Sequence, residues 1–345
     1  MASLPLPIFP ADDHPEKRLV GIAKLASEGE ELGPGHNVEF FTIGVRSILT
    51  RAVSKRKLPF VWMINPYRGC EFACKYCYAR YTHEFMEMPD AFEFERKIYV
   101  KQQTGWLLRQ DLKKVKRGEE IAIGTATDPY QPAEKRYQVT RALLEEFARH
   151  HGLEIGVISK SNLILRDLDL MLKIAEHNTI TVSLTVTTTN TELARMLEPR
   201  APRPDLRLRA VKEINQAGIP CGVSCAPVLP GITDAPKDLE AVIKAAAEAE
   251  ACWVHTNPLF LKSCSRQVFL PFVRQHFPHL VKIYQERYGE RDYATPEYRK
   301  RISELARKLC LKYGVGSRRV NRIFNARRVD HASIEDPESQ MDLFH

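Results

Sequence analysis

Three cysteines occur within eight positions in the stretch G-C-E-F-A-C-K-Y-C-Y: Cys70, Cys74 and Cys77, with an aromatic residue directly after the last. A closed zinc site requires four ligands and a disulfide requires two thiols, so an odd triplet indicates an incomplete ligand set. Three thiolates can bind three irons of a [4Fe-4S] cluster and leave the fourth iron for another ligand. A Cys3His zinc site that uses His83 is the alternative.

Short apolar segments alternate with segments of helical periodicity along the middle of the chain. The segments read as strands, apolar on most positions, are 61–65, 121–124, 154–158, 180–186, 220–225 and 252–256. The helical patterns that separate several of them are 140–150, 165–176, 205–218 and 238–249. This alternation predicts an α/β fold of right-handed βαβ units, with a parallel sheet curved into a partial (β/α)6 TIM-like barrel. A flat doubly wound sheet is the alternative.

The same pattern predicts how the chain is organised around that barrel. Residues 1–58 are an N-terminal extension and residues 59–265 the core barrel. Residues 266–316 are a C-terminal helical extension with two helices between 269 and 313, and residues 317–345 are a basic and then polar tail.

Polar sequence follows each predicted strand. The cysteine triplet follows the first strand and G-T-A-T-D-P-Y-Q-P-A-E follows the second. The later strands are followed by S-K-S, T-T-T-N, A-P-V-L-P-G and N-P-L. Because reacting groups lie at the carboxyl ends of parallel barrel strands, we expect these segments to meet at one mouth.

These motifs together resemble the spore photoproduct lyase-like branch of the radical S-adenosylmethionine (SAM) superfamily. The spacing C-x3-C-x2-C is typical of the superfamily, and the resemblance runs from about residue 65 to about residue 261 with L-E-P-R-A-P also in order. It implies a [4Fe-4S] cluster on Cys70, Cys74 and Cys77 whose open iron chelates SAM. Reductive cleavage of SAM would yield a 5′-deoxyadenosyl radical that removes a hydrogen atom from a substrate. An electron donor of the flavodoxin or ferredoxin type is implied as a partner.

The resemblance also assigns residues to SAM. Tyr76 would pack near the adenine, which Ala226 would meet through its backbone. Lys160 and Ser183 would contact the carboxylate or the ribose. The methionine amino group would be bound by the stretch Gly124, Thr125, Ala126 and Thr127.

Each of these assignments has a structural alternative. Ser183 is also a residue that suits a strand, and Lys160 could form a salt bridge. Four polar residues after the second strand are candidates for the substrate side, although Asp128 could be only a turn residue before a proline. They are Asp128, Tyr130, Gln131 and Glu134.

One departure from the family pattern bears on the reaction. The spore lyase has a hydrogen-donating cysteine near the end of its second strand, where this chain has Gly124 or Thr125. Photoproduct reversal by the same route is therefore not expected. Cys225 and Cys264 are candidate substitutes, although both could be buried small hydrophobic residues. A second cluster on Cys221, Cys225, Cys252 and Cys264 is not favoured, because C-x2-C spacing is absent.

Basic charge is concentrated near the C-terminus. Between residues 299 and 330 there are eleven Lys or Arg against two acids, whereas the net charge of the whole chain is +8. This segment predicts either a phosphate-contacting stripe for nucleic acid or a docking surface for a protein partner. Nucleic acid is thus one candidate substrate, a peptide or small metabolite is a second, and a non-catalytic metal-binding protein is the third reading.

The chain is expected to be cytoplasmic and without a membrane partner. No apolar run approaches the roughly 18 residues that a membrane span requires. The N-terminus M-A-S-L-P-L-P-I-F-P lacks the basic start of a signal peptide and contains three prolines.

Overall fold

The computed structural model of the protein describes residues 19–35, 37–52 and 58–316. The proline-rich N-terminus and the basic part of the tail beyond residue 316 lie outside the described residues. The strands are β1 (Glu31–Gly35), β2 (Val38–Ile43), β3 (Leu49–Arg51), β4 (Trp62–Ile64), β5 (Tyr67–Arg68), β6 (Lys97–Lys101), β7 (Glu120–Ile123), β8 (Glu154–Ser159), β9 (Thr179–Thr185), β10 (Cys221–Val228) and β11 (Val254–Pro258).

The helices connect and cover these strands. They are α1 (Gly21–Ser27), α2 (Tyr81–Glu84), α3 (Glu93–Arg96), α4 (Thr104–Asp111), α5 (Glu134–Tyr137), α6 (Val139–Phe147), α7 (Leu168–Ala175), α8 (Thr191–Leu197), α9 (Pro204–Gln216), α10 (Pro236–Glu248), α11 (Ser263–His276), α12 (Val281–Tyr288) and α13 (Pro296–Tyr313). No helix among the described residues combines the length and the apolar character needed to cross a membrane.

A seven-stranded sheet forms the centre of the protein, in the order β11-β10-β9-β8-β7-β4-β3. The six strands from β4 to β11 in this sheet are all parallel, and β3 is antiparallel to β4 at the edge. The parallel strands follow one another in sequence order, whereas a doubly wound sheet reverses its order. β11 and β3 remain the two edges, so the sheet is the predicted partial barrel and the doubly wound alternative is wrong.

The two faces of this sheet differ in polarity, although its strand segments are apolar on most positions. On β9, Ile180, Val182 and Leu184 are buried in one core that also contains the inner faces of α6, α7, α9 and α10. Thr181 and Ser183 lie on the opposite face and are only partly buried. Because side chains alternate along a strand, the register gives the sheet one helix-covered face and one inner face of small and polar residues.

A second sheet, in the order β1-β2-β6-β5, was not predicted. β1 and β2 form an antiparallel hairpin within the predicted N-terminal extension, and β2 pairs in parallel with β6. Its short strand β5 leads directly into the cysteine triplet and pairs with β6. The small sheet therefore supports the start of the cysteine loop.

Up to residue 316, where the described residues end, three α-helices rather than the expected two follow β11. α11 begins at Ser263, and α12 and α13 come after it. α13 packs against α10 and β11, where it covers the edge of the main sheet.

Gly124, at the end of β7, lies where the mouth of the barrel is tightly packed. Its φ is +94°, and a Cβ atom there would lie 2.4 Å from the Ile158 carbonyl oxygen. Gly118 has a similar φ of +83° but open space around it, so it is a matched control. We expect Gly118→Ala to lower the free energy of unfolding by about 1 kcal/mol, through the left-handed backbone alone. Gly124→Ala should cost about 1–3 kcal/mol more through overpacking. Urea titration measures both, and equal losses would contradict this account.

Candidate active site

The cysteine loop leaves β5 through a sharp bend at Gly69. The φ of Gly69 is +82°, and a Cβ atom there would lie 2.6 Å from the Lys97 carbonyl oxygen. The Cys70 amide donates a hydrogen bond to the Phe94 carbonyl oxygen over 2.9 Å. Only glycine allows the loop to approach the small sheet this closely.

The three thiols lie in a poorly solvated environment. Cys70 and Cys74 are buried and Cys77 is partly exposed. Burial raises the pKa of all three, that of Cys74 to about 12, while Lys160 opposes this shift at Cys74 and Cys77. Thiols with raised pKa stay protonated until a metal replaces the proton. The thiols are thus not activated as free nucleophiles, and no group of three or more His, Cys, Asp or Glu side chains within the described residues is already arranged as a metal site.

The loop after β7 holds the cysteine loop in place through side chains. Thr127 Oγ1 donates to the Gly69 carbonyl oxygen over 2.6 Å, and Gln131 Nε2 donates to the same oxygen over 3.2 Å. Gln131 Oε1 accepts from the Glu71 amide over 2.9 Å. The Glu71 carboxylate in turn accepts from the Ala133 amide over 2.6 Å. We call these contacts around Gly69 the loop clamp.

The stretch predicted to bind the methionine amino group is also tied to the cysteine loop. Asn65 Oδ1 accepts from the Ala126 amide over 2.7 Å, and Asn65 Nδ2 donates to Thr125 Oγ1 over 3.2 Å. The hydroxyl of Tyr78, directly after Cys77, donates to the Thr125 carbonyl oxygen. The structure therefore brings the cysteine loop and this stretch together, as the sequence predicts.

Glu134 is buried, and its carboxylate joins neighbouring segments through hydrogen bonds. Its buried carboxylate accepts hydrogen bonds from the Tyr67 hydroxyl at 2.5 Å and the Thr140 amide at 2.9 Å. It also accepts from Arg166 Nη2 at 2.8 Å, and Arg166 pairs with Asp167. A carboxylate with this many fixed donors acts as a structural connection between the loops.

The Asp128 carboxylate is also held by hydrogen bonds within the protein. Its carboxylate accepts from Ser159 Oγ at 2.7 Å, the Lys160 amide at 2.7 Å and the Tyr130 amide at 2.9 Å. Tyr130 is buried in the main core. All four substrate-side candidates are buried, and the side chains of Asp128, Gln131 and Glu134 form hydrogen bonds to neighbouring segments.

Lys160 lies at the end of β8 beside the cysteine loop, and its ammonium has no ion-pair or hydrogen-bond partner among the described residues. Its Nζ lies 5.8 Å from the centre of the Tyr76 ring. Burial alone would lower the pKa of Lys160, but the neighbouring Cys74 and Glu198 raise it above its usual value. A charged, unpaired ammonium is therefore available to an anionic ligand. The salt-bridge alternative for Lys160 does not hold within the described residues.

Glu198 and Arg207 complete this side of the site, and the sequence analysis missed them as a pair. Arg207 Nη2 lies 2.5 Å from Glu198 Oε2, and both side chains are buried. The Tyr76 hydroxyl donates to the same carboxylate. The Leu197 carbonyl oxygen accepts from the Lys75 amide over 2.9 Å, so this segment also holds the cysteine loop. The motif L-E-P-R-A-P was the available signal, although Arg207 lies outside it.

The predicted SAM-binding residues beyond the cysteine loop share one face of the sheet. Ser183 is paired with Ile158 and Gly222 in the register, and Lys160 continues the row of Ile158 beyond the end of β8. Ser224 and Ala226 follow Gly222 on alternate positions of β10. Lys160, Ser183 and Ala226 therefore lie along the inner face.

The two candidate hydrogen donors are placed differently. Cys225 is fully buried in the row of Val223 on the helix-covered face, and burial, followed by Cys310, raises its pKa to about 12. This position argues against Cys225 as a donor. Cys264 is buried in the first turn of α11, and its neighbour Ser265 donates through Oγ to the Cys77 carbonyl oxygen over 2.8 Å. Cys264 is thus the candidate that lies beside the cysteine loop.

His83, the predicted alternative fourth ligand, packs in the small sheet. Its Nε2 lies 3.0 Å from the Lys97 carbonyl oxygen, and its ring meets Phe94 and Tyr99 edge-on. Burial lowers its pKa to about 4, so it remains neutral.

Comparison with known proteins identifies the family. The model of the radical SAM superfamily matches residues 64–246, more than half of the chain. An uncharacterised protein of Mycobacterium tuberculosis is 34% identical over 80% of this chain and 81% of its own length. An uncharacterised protein of Methanocaldococcus jannaschii is 30% identical over 53% of this chain and 67% of its own length.

Solved structures support the same fold. Spore photoproduct lyase complexed with dinucleoside spore photoproduct superposes with a TM-score of 0.62 at 14% identity, covering 80% of each chain. A mutant of that lyase with bound AdoMet and the same dinucleoside gives a TM-score of 0.60 at 15% identity and the same coverage. The region that the family model matches, residues 64–246, begins at the end of β4 and contains the cysteine loop, the loop clamp and Lys160. The chain therefore belongs to the radical SAM superfamily and is a radical SAM enzyme.

Proposed function

We propose that this enzyme binds one [4Fe-4S] cluster through Cys70, Cys74 and Cys77, cleaves SAM reductively and removes a hydrogen atom from a nucleic-acid substrate. The observation that carries the cofactor part is the loop of three poorly solvated thiols, two of them buried, beside a lysine that has no acidic partner among the described residues. Superfamily membership implies an iron–sulfur cluster and SAM, and three ligands leave one iron open for SAM.

The residues around the loop fit that cofactor pair. The Lys160 ammonium would pair with the SAM carboxylate, which would satisfy a cation that lacks an acidic partner. The Tyr76 ring, fixed through its hydroxyl by Glu198, would pack beside the adenine. Ser183 and Ala226 would line the inner face along the rest of the ligand, and the 124–127 stretch would receive the methionine amino group.

A cluster held by the three thiols would supply the electron for SAM cleavage, and SAM would supply the radical that takes a hydrogen atom from the substrate. The contribution of the protein is to hold the two reactants and to exclude water. The loop clamp fixes the thiols, and buried rings such as Tyr76 and Tyr130 fill the space behind them. An acidic electron donor of the flavodoxin or ferredoxin type would supply the electron.

The nucleic-acid part of the proposal rests on two supports. The lyase with the same fold carries a dinucleoside photoproduct in its structure. In this chain, Tyr81 and Phe85 pack edge-on beside the cysteine loop, with their ring centres 5.6 Å apart, and Lys262 Nζ lies 4.1 Å from the centre of the Tyr81 ring. Aromatic faces next to cations are the groups on which unpaired bases stack.

Transfer of deuterium from substrate to cofactor tests this function. The reconstituted and reduced enzyme is incubated with SAM and a fully deuterated single-stranded oligonucleotide, and 5′-deoxyadenosine is analysed by mass spectrometry. We expect deuterated 5′-deoxyadenosine, and none from Cys74→Ala, which lacks a cluster ligand. Unlabelled 5′-deoxyadenosine would contradict the nucleic-acid substrate while leaving the radical chemistry intact. A colourless protein that contains one zinc and leaves SAM uncleaved would contradict both.

The loop clamp predicts how well the cluster is retained. Gln131→Leu removes one donor to the Gly69 carbonyl oxygen and leaves the buried Glu71 amide without an acceptor, which should cost about 1–3 kcal/mol. We expect less iron per chain after reconstitution and faster loss of iron to a chelator. The control is Gln110→Leu on α4. Within the described residues, the Gln110 side chain forms a hydrogen bond only with Lys113. Equal iron retention in the two variants would contradict the clamp.

A further inference from the structure

Two cations beside the cysteine loop have no acidic partner among the described residues. Lys101, at the end of β6, is 8% exposed, and its side chain forms no ion pair or hydrogen bond within the described ranges. Arg68 on β5 likewise forms no ion pair there, and its Nε is buried without a hydrogen-bond partner. Arg68 is paired with Tyr99 in the sheet, so Arg68 and Lys101 lie on the same face.

The acidic residues near these cations are paired with other cations or exposed to solvent. Glu93 pairs with Lys97 at 2.8 Å, and Glu95 pairs with Arg80 at 2.5 Å. Glu84 of α2 is exposed and forms no ion pair among the described residues. Burial, followed by the neighbouring Arg68, lowers the pKa of Lys101 to about 7. An anionic ligand would stabilise the charged form of Lys101 and offset its repulsion from Arg68.

A third cation reaches the same region from the far end of the main sheet. Lys262, which immediately precedes α11, places its Nζ over the Tyr81 ring at 4.1 Å from the ring centre. Arg68 lies within electrostatic reach of the same tyrosine. Phe85 extends this surface and is 61% exposed. Arg68 and Lys262 therefore both lie near Tyr81, four residues after Cys77, and Lys101 lies near Arg68.

We propose that Arg68, Lys101 and Lys262 form an anion site that binds a phosphate group of the substrate beside the cysteine loop, with Tyr81 and Phe85 next to the adjoining base. This inference rests on the proposed function and adds the part of the substrate that the mouth recognises. Arginine binds phosphate oxygens through its planar fork, and lysine adds a point charge. A phosphate bound here would hold one nucleotide beside the cysteine loop.

Two variants each remove one of the cations that lack an acidic partner among the described residues. Lys101→Met removes the buried cation but keeps the length of the side chain, and Arg68→Gln removes the second charge. Lys113→Gln makes the same charge change at an exposed position of the chain and is the control. Because Lys101 is unpaired, Lys101→Met should raise the melting temperature of the ligand-free protein. A lysine that only supports the fold would give a lower melting temperature instead.

Binding is measured on the full-length, reconstituted protein with a fluorescent single-stranded oligonucleotide, and separately with pyrophosphate. For Lys101→Met and Arg68→Gln we expect about ten- to a hundredfold weaker oligonucleotide binding. The slope of log affinity against log salt should fall by about one, and iron content should be unchanged. Lys113→Gln should bind as the wild type does.

The outcomes separate this site from the proposed function. If both variants bind oligonucleotide and pyrophosphate as tightly as the wild type, the anion site is wrong, whatever the substrate. If pyrophosphate binds and loses affinity in the variants while the oligonucleotide does not bind, the site stands and the nucleic-acid function is wrong. The phosphate then belongs to a small metabolite.

Discussion

The carbonyl oxygen of Gly69 accepts hydrogen bonds from Thr127 and Gln131, and the position of the cysteine loop depends on that contact. The loop has only three thiols to bind a metal group, so it cannot be shaped by a fourth protein ligand. Its shape must come from the surrounding chain, which supplies a glycine bend, the Phe94 carbonyl and the loop after β7. The polar motifs of the barrel mouth are therefore mainly structural, and they hold the thiols in place before any cofactor binds.

The site also contains positive charge that the fold leaves unbalanced. Lys160 lies beside Tyr76 of the cysteine loop, and Arg68 lies on β5, which leads into that loop and pairs with the strand that ends at Lys101. By contrast, the buried cations Arg80 and Arg207, which also lie next to the cysteine loop, have acidic partners at 2.5 Å. This contrast distinguishes cations that stabilise the fold from cations that are free for ligands. Leaving charges unpaired at a functional site lowers stability in exchange for binding.

The sequence predicted the main sheet well because buried parallel strands alternate clearly with amphipathic helices. All six predicted strands occur within two or three residues of their expected bounds. The small sheet escaped prediction since Gly33 and Pro34 obscure β1 and since β5 has only two residues. The residues at the mouth were identified from their positions after strands, but the roles of Asp128 and Glu134 depend on partners about thirty residues away. Spacing along the chain does not reveal such partners. The position of Cys225 on the helix-covered face could have been read from the period-two pattern of β10.

The central claim is that the three thiols bind a cluster whose open iron takes SAM, next to Lys160. EPR spectroscopy of the reconstituted and reduced protein, with and without SAM, tests it most directly. The account predicts an iron–sulfur signal that changes when SAM is added, and a need for at least about tenfold more SAM in Lys160→Met, which lacks a charge-assisted contact. A protein without an iron–sulfur signal, or with a signal that SAM leaves unchanged, would contradict it.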